Sequence, residues 1–205
     1  MEHIIITIGR QLGSGGRVIA QKLAKEFDCL FYDREILNLA AKESGFSEKI
    51  FEQNDEHKGF LKSLFHMRVP LVSDVNFYKS DISQERLFQF QSDAIRKAAQ
   101  KSNCVFVGRC ADYILRDMPN VVNVFVTADI DWRAEQVVKR HQCTKEEALK
   151  IIHRAENRRA SYYNYYTGKR WGDAASYDLC VDASILDIEE TEKYIANFIR
   201  KRFHL

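Results

Sequence analysis

The sequence carries little net charge. Its 205 residues include 31 lysines and arginines against 29 aspartates and glutamates, which gives a formal charge of +2. Such a balance provides no broad positive field to hold a nucleic acid or an anionic membrane surface, and no apolar stretch is long enough to span a bilayer. We therefore expect neither a nucleic-acid partner nor a membrane partner. An anionic ligand would have to be bound by a local cluster of basic side chains.

Cysteine and histidine are too few and too scattered to form a recognisable ligand set. The five cysteines make an odd number without any C-x-x-C pair, and the six histidines add no metal-ligand spacing. This usage is typical of reduced, mostly buried thiols in a cytosolic protein. The N-terminal residues lack the charged segment and long apolar core of a secretion signal. We expect a cytoplasmic protein, and the metal ligands are unknown from the sequence.

Glycine is also scarce, with nine residues, yet four of them fall in the segment GRQLGSGG at residues 9–16. This segment follows a β-branched run, HIIITI, and precedes a helical pattern at residues 17–27. In such a loop the backbone N–H groups converge and the helix start adds partial positive charge, so the loop can hold phosphates. The predicted phosphate-binding residues are Gly9, Arg10, Gly13, Ser14, Gly15, Gly16, Arg17 and Val18.

The loop departs from the standard phosphate-loop pattern G-x-x-x-x-G-K-[ST]. In one register Gly16 and Arg17 take the positions of the lysine and the hydroxyl residue, and in the other Arg17 and Val18 take them. Both registers lack the lysine and the hydroxyl that binds Mg²⁺. A cation is still required near the β- and γ-phosphates of a triphosphate. Arg10 and Arg17 are the candidates, and Arg17 is assigned a catalytic role.

Hydrophobic periodicity predicts an α/β fold. Short apolar runs alternate with segments of helical period, which indicates one domain with a five-stranded parallel sheet and helices on both faces. The last helix is predicted to start at Asp187, with Glu190 completing a capping box. The predicted strands are residues 3–8, 29–32, 104–107, 121–127 and 179–181, and the predicted helices are residues 17–27, about 36–45, 87–100, 132–140, 145–159 and 187–199, with a short helix and loops over 46–82.

Charged residues follow two of the predicted strands. Arg109 comes after a buried strand and a glycine, and Asp33 ends another strand. Ligands of open α/β sheets bind at the carboxyl ends of the strands, so both residues are candidates for ligand binding. For Asp33 an equal alternative is a helix N-cap.

Three arginines lie in the predicted helix 145–159. Arg154 and Arg158 are four residues apart and share one face, while Arg159 lies about 100° further round. Guanidinium groups bind phosphate oxygens in pairs, so this set suits phosphoryl transfer. The alternative is a solvated helix face paired with Glu156. Two further arginines are interpreted as surface residues: Arg133 and Arg140.

Two clusters of aromatic or apolar residues have more than one interpretation. The stretch SYYNYYTGKRW at residues 161–171 could stack on a base or close over a ligand, but we prefer a packed loop or a subunit contact. An apolar patch fits internal packing or a dimer surface better than the wall of an acceptor pocket, so both a monomer and a homodimer are compatible with the sequence. The patch consists of Phe60, Leu61, Leu64, Phe65 and Met67.

Several segments together resemble the cytidylate kinase-like P-loop proteins, relatives of the nucleoside monophosphate kinases: GRQLGSGGRVIAQKLA, FYDREIL, VFVGRCADYIL, RRASYYNYYTGKRWGD and YDLCVDAS. The resemblance runs from residue 4 to about residue 199 and is weakest between 46 and 100. It implies a three-layer P-loop kinase fold for residues 1–205, with a helical acceptor-binding insertion at about 34–100 and an arginine-rich lid at about 141–175. It also implies ATP and Mg²⁺ as cofactors, small-molecule nucleotide substrates, and CMP or dCMP as the favoured acceptor.

The resemblance also assigns roles to residues. Asp33 and Arg34 match the start of the acceptor site, and Arg109 matches the arginine that contacts the acceptor phosphate. The family tends to have Asp-Gly-Arg-Asp at the end of the third strand, where this chain has VGRC at 107–110 and an aspartate at Asp112. Two alternatives stand beside a nucleotide kinase: a P-loop kinase of another small acceptor, and a non-catalytic nucleotide-binding protein. The arginines that match the lid are Arg154, Arg158 and Arg159.

Overall fold

The computed structural model describes residues 3–33 and 84–205. The chain divides into two compact units, Met1–Asp33 with Ile95–Leu205 and Arg34–Ala94. The first unit contains the sheet, and of the second the structure describes the beginning of one helix. Several predicted features lie outside the described residues: Arg34, the helices expected within 36–82 and the apolar patch at 60–67.

Five short, mainly apolar segments form one parallel sheet. Their order across the sheet is β2-β3-β1-β4-β5. The central strand β1 pairs Ile5 with both Cys104 and Val121, so the carboxyl ends of β1, β3 and β4 lie along the same edge. The glycine loop follows β1 and therefore lies in the middle of the edge where α/β sheets bind ligands. The strands are β1 (Ile5–Arg10), β2 (Leu30–Tyr32), β3 (Cys104–Val107), β4 (Val121–Thr127) and β5 (Leu179–Asp182).

Helices connect the strands, and their ends are capped by side chains. The carboxylate of Asp129 accepts hydrogen bonds from the first turn of α4, and Thr144 with Glu147 forms a capping box at the start of α5. Within the described ranges, no helix is long and apolar enough to cross a membrane. The helices are α1 (Gly16–Glu26), α2 (Gln84–Lys101), α3 (Ala111–Ile114), α4 (Ile130–His141), α5 (Lys145–Thr167) and α6 (Ala183–Phe203), with a 3-10 turn at Ala174–Ser176.

Helices cover the sheet on both faces, as the sequence predicts. Successive strand residues point to opposite faces. Val105 joins the apolar cluster that contains Leu23 of α1 and Ile195 of α6, whereas its neighbour Cys104 donates from Sγ to the carbonyl of Ala98 in α2 at 3.5 Å. A second apolar cluster joins the glycine loop to α4 and α5, and it consists of Leu12, Ala134, Val137, Ala148, Ile152 and Ala155.

Two helices differ from their predicted limits. α5 continues to Thr167 and ends at Gly168, which is left-handed with φ 67°. Residues 161–167 of the tyrosine-rich stretch are therefore helical and not a packed loop, while the alternative of a subunit contact stays a prediction. α6 begins at Ala183 rather than at Asp187. Asp187 interrupts α6 with φ 61°, and its carboxylate accepts from the N–H of Glu190 at 3.0 Å. The predicted cap at Asp187 therefore exists, but inside the helix.

Candidate phosphate-binding site

The glycine loop turns through two left-handed residues before α1 begins. Gly13 has φ +84° and Gly15 has φ +77°, a region that other residues rarely adopt. A Cβ on Gly13 would also lie 2.7 Å from the carbonyl oxygen of Arg133. The carbonyl of Gly15 accepts from the N–H of Val18 at 2.8 Å, so that amide is already engaged within the helix. The free start of α1 supplies the partial positive charge that favours a phosphate.

Side-chain hydrogen bonds tie the loop to β4. The N–H of Gln11 donates to the carbonyl of Val126 at 3.1 Å. Its side-chain oxygen accepts from the hydroxyl of Thr127 and from the N–H of Ala128. The buried hydroxyl of Ser14 donates to the carbonyl of Gln11 at 3.1 Å, which helps to fix the shape of the loop. Sequence analysis missed Gln11, because one glutamine among glycines gives no signal of partners more than a hundred residues away.

Arg10, the last residue of β1, extends its guanidinium toward the end of β3. A Cβ on Gly108 would collide with Nη1 of Arg10, and the Arg10 side chain is only 20% exposed. Its carbonyl accepts a hydrogen bond from Nη1 of Arg159 at 2.9 Å. Burial, followed by repulsion from Arg159, lowers the pKa of Arg10 to about 9, while Asp33 opposes the shift. Among the described residues, Asp33 therefore offsets only part of the cost that burial and the neighbouring arginines impose on the charged form of Arg10.

Asp33 lies beside two of the loop arginines at the end of β2. Its Oδ2 accepts from Nε of Arg17 at 2.8 Å, and its Oδ1 lies 3.9 Å from Nη2 of Arg10. Arg17 is 58% exposed, and its guanidinium carbon lies 5.9 Å from the centre of the Phe31 ring. Arg17, predicted to be catalytic, thus turns toward β2, whereas the less exposed Arg10 stays between β1 and β3.

Arg109 follows β3 in a strained turn. Gly108, Arg109 and Cys110 have φ of 72°, 60° and 57°. The left-handed conformation costs about 1–2 kcal/mol for each residue other than glycine. The side chain of Arg109 hydrogen-bonds the hydroxyl of Tyr162 on α5, and burial raises the pKa of that hydroxyl, so it stays protonated at neutral pH. Arg109 also contributes to the lowered pKa of Arg10, which places both in one cluster.

The three predicted lid arginines do not act as a set here. Arg159 is half-buried and contacts β1 through the carbonyl of Arg10, and burial lowers its pKa. Arg154 and Arg158 are exposed. Glu156, which was considered as their partner, instead pairs with Arg133.

Arg133 is buried, so its interpretation as a surface residue is wrong. Its Nε donates to the carbonyl of Ala128 at 2.9 Å, and its Nη1 binds Glu156. The backbone of Arg133 also packs against Gly13, so Arg133 contacts the glycine loop and helps to hold it in place. Arg140 is exposed on α4, as predicted.

The tyrosines of α5 anchor the end of that helix. The hydroxyl of Tyr163 donates to Oδ2 of Asp112 at 2.6 Å, and burial raises the pKa of Asp112. Asp112 therefore faces α5. Beyond the helix, Trp171 and Tyr177 pack on Phe125 of β4, with ring centres 5.5 and 4.9 Å from it.

We define the arginine cluster as Arg10, Arg17, Arg109 and Arg159. All three others act on the pKa of Arg10, and among the described residues Asp33 is the carboxylate that acts on it. Several guanidinium groups beside a loop of backbone amides can bind adjacent phosphates and stabilise negative charge that moves between them.

The described residues do not offer a resident site for Mg²⁺. Among them no group of three histidine, cysteine or acidic side chains could hold a metal ion. Val18 has no hydroxyl, that of Ser14 is bonded within the loop, and Asp33 is held by arginines. Mg²⁺ usually keeps several waters and binds through substrate phosphates together with one or two carboxylates, so the phosphates of a nucleotide would have to supply most of its ligands.

Comparison with known sequences identifies a family and several relatives. The model of the cytidylate kinase-like family matches residues 5–185. A cytidylate kinase from Pyrococcus furiosus is 25% identical over 182 residues, which cover 88% of this chain and 80% of that protein. The cytidylate kinase of Pyrococcus abyssi is 27% identical over 183 residues, covering 88% and 85%.

Solved structures give the same fold. A structure of an uncharacterized protein from Eubacterium ventriosum has a TM-score of 0.73 at 28% identity and covers 96% of this chain and 98% of its own. Shikimate kinase from Bacteroides thetaiotaomicron has a TM-score of 0.52 at 13% identity, with 98% and 99% covered, a likeness that concerns the fold alone. The fold is that of the P-loop kinases, and the chain belongs to the cytidylate kinase-like family.

Proposed function

We propose that the protein is an ATP-dependent phosphotransferase that moves the γ-phosphate of ATP to a nucleoside monophosphate, with CMP or dCMP favoured. The observation that carries the proposal is the arginine cluster beside the glycine loop: four guanidinium groups, on which the described carboxylates that act are Asp33 and, at Arg159, also Glu156. Family membership supports a nucleotide substrate. Relatives named cytidylate kinase favour a cytidine nucleotide.

Each part of the site has a role in this proposal. The backbone amides at residues 13–16 hold the donor phosphates, with Arg10 and Arg17 beside them. Arg109 binds the phosphate of the acceptor, whose site begins at Asp33 and Arg34. Arg159 neutralises the group in transfer. Two exposed arginines of α5 approach when both substrates are bound: Arg154 and Arg158.

The reaction needs little from the protein beyond charge and position. An oxygen of the acceptor phosphate bonds to the γ-phosphorus, and the bond from that phosphorus to the β-bridging oxygen breaks, which yields ADP and a nucleoside diphosphate. The second pKa of a phosphate monoester is about 6, so the attacking oxygen is mostly unprotonated at neutral pH and no general base is required. Positioned cations then supply most of the catalysis.

The same argument favours a phosphate over a hydroxyl as the acceptor group. A hydroxyl must transfer its proton to a base, which is an aspartate in protein kinases. Among the described residues, the carboxylate beside the arginine cluster is Asp33, and two arginines already hold it. A phosphate acceptor requires no such base.

A coupled assay of ADP release tests the proposal. The purified protein is incubated with MgATP and, in turn, CMP, dCMP, UMP, AMP and GMP, and then with nucleosides and sugar acids. We expect the highest kcat/KM with CMP or dCMP. Turnover with hydroxyl acceptors alone would identify a kinase of another small acceptor. ATP binding by calorimetry without ADP release for any acceptor would identify a non-catalytic nucleotide-binding protein.

A further inference from the structure

The side chain of Arg10 occupies space that two glycines leave open. A Cβ on Gly16 would lie 2.7 Å from Cβ and 3.3 Å from Cγ of Arg10, and a Cβ on Gly108 would collide with its Nη1. Real Cβ atoms essentially never come within 3.0 Å of a neighbour, so a side chain at Gly16 would clash with the base of the Arg10 side chain, whereas one at Gly108 would push its flexible guanidinium end aside. Gly16 lies at the start of α1 and Gly108 at the end of β3. The space that the Arg10 side chain occupies therefore lies between two elements that are far apart in the sequence.

Gly16 is also the position where one register of the phosphate-loop pattern has its lysine. The two features are linked sterically, because any side chain at this position would meet Arg10. In that register the chain has no cation at the lysine position, and the Cβ and Cγ of Arg10 lie beside it while the guanidinium extends to Gly108 at the end of β3.

Arg10 is better placed than Arg17 to meet the transferred group. Arg10 is 20% exposed and Arg17 58%. Arg10 also lies among the other arginines of the cluster, since Arg159, Arg109 and Arg17 all act on its charge. These neighbours include both the arginine that we propose for the acceptor phosphate and the one that we propose for the group in transfer.

We infer that Arg10 is the catalytic cation that takes the place of the missing loop lysine and binds the γ-phosphate of the donor, with Gly16 and Gly108 providing the room for it. This inference rests on the proposed function, because it assigns a residue to that same site. Arg17 then has a lesser part, through its contact with Asp33.

The first test compares the binding of two nucleotides by calorimetry in the presence of Mg²⁺. Arg10→Met is expected to weaken ATP binding about 10- to 100-fold and ADP binding less than about threefold, because ADP lacks the γ-phosphate. Arg17→Met is expected to cause a smaller loss for ATP. Arg140→Met, which changes an exposed arginine of α4, serves as the matched control and should bind both nucleotides as the unmodified protein does.

The second test moves the cation. Arg10→Gly removes the side chain that blocks position 16, and adding Gly16→Lys then restores the standard loop pattern. The double variant is expected to recover at least about tenfold in ATP affinity over Arg10→Gly alone. Gly16→Lys by itself should impair binding, because its side chain meets Arg10. Thermal melts show whether each variant folds. If Arg10→Met does not fold, Arg10→Lys, which keeps the positive charge, is measured in its place.

Two results overturn the inference. One is ATP binding within about threefold of the unmodified protein for Arg10→Met, and the other is an equal loss for ATP and ADP. Since calorimetry needs no acceptor, these outcomes stand apart from the proposed function. If no acceptor is phosphorylated, the proposed function fails, while the ATP-to-ADP ratio still decides whether Arg10 contacts the γ-phosphate.

Discussion

At the scale of single residues, Arg109 and Arg159 connect the glycine loop with the rest of the site. Arg109→Ala and Arg159→Ala are each expected to lower kcat/KM about 10²- to 10³-fold, because each removes a guanidinium that stabilises charge in the transition state. The coupled assay of ADP release measures the effect. Arg140→Ala, an exposed change on α4, is the control for the loss of an arginine.

Circular dichroism and a thermal melt should show both variants folded, since no described carboxylate depends on either arginine alone. Near-unchanged turnover in both variants would contradict their assigned roles. An equal loss in Arg140→Ala would show that the effect comes from overall charge rather than from the site.

Gly108 offers a second test at this scale, with Gly168 as its matched control. Both glycines are left-handed, with φ of 72° and 67°, but a Cβ on Gly168 would meet nothing within 4 Å. Gly168→Ala should therefore cost only the backbone strain, about 1–2 kcal/mol, and keep full activity. Gly108→Ala has the same strain and also displaces Arg10, so we expect a large loss of activity in addition. Urea unfolding measures the loss of stability and the coupled assay measures the loss of activity. Equal activity in the two variants would contradict the claim that Gly108 leaves room for the Arg10 side chain.

Some residue-level features could be predicted from the sequence and others could not. The loop glycines and Arg109 lie next to a strand or a helix start, so local pattern was sufficient to identify them. The collision between Gly108 and Arg10, and the hydrogen bond from Arg159 to Arg10, join residues remote in sequence. Such contacts depend on the order of the strands, which periodicity does not reveal.

At the scale of elements, the contact between α1 and α6 contains a carboxyl pair with a pH dependence. Glu192 of α6 is buried and hydrogen-bonds Glu26 of α1, and burial followed by this neighbour raises the pKa of Glu192 to about 7. Repulsion from Glu189 also raises the pKa of Glu192, and attraction to Lys22 lowers it. Glu26 itself pairs with Arg200. The folded protein therefore favours the protonated form of Glu192.

The sign of the effect follows from linkage. Below the unfolded pKa, near 4.5, Glu192 is protonated in both states and costs nothing. The cost of its ionisation appears as the pH rises and is complete above about pH 7. Glu192→Gln should thus stabilise the protein at pH 8 by on the order of 1–3 kcal/mol, with little effect at pH 4.5.

Urea unfolding at the two pH values measures this difference. Glu190→Gln, on the same helix but exposed, should show no comparable pH dependence. If Glu192→Gln is destabilising at pH 8, the buried carboxylate is ionised and well paired instead.

Sequence reasoning located the elements well and their limits less well. The five predicted strands are confirmed, because short apolar runs alternating with helical segments are typical of a parallel sheet. The extension of α5 was missed because tyrosines have weak helix propensity and here show no clean apolar period. Its cause is tertiary, since Tyr163 bonds Asp112 on another helix.

At the scale of the whole molecule, the arginine cluster links folding to anion binding. A ligand that binds only the folded state stabilises it by about 2.7 kcal/mol at 100 times its Kd. For a chain of this length that corresponds to a rise in Tm of roughly 5–10 °C. We expect this shift with MgATP and a smaller one with tripolyphosphate, because phosphates alone engage the loop and the arginines.

Thermal melts in sodium chloride of matched ionic strength control for general screening. Arg159→Ala should lose part of the shift. If adenosine raises Tm and tripolyphosphate does not, the protein binds ATP mainly through the base. That result would contradict a phosphate-binding site.

Asp33 has a consequence for how a substrate arrives. With its carboxylate between Arg17 and Arg10, the empty protein holds an internal anion against the cluster, so binding is an exchange of one anion for another. The measured affinity for a ligand is then the difference between its interaction with the arginines and that of Asp33 with the same arginines. A monovalent anion such as chloride has almost no net gain in binding free energy when it displaces the carboxylate. We therefore expect a ligand with charges on neighbouring phosphates to displace Asp33 from the arginines more readily than a monovalent anion does.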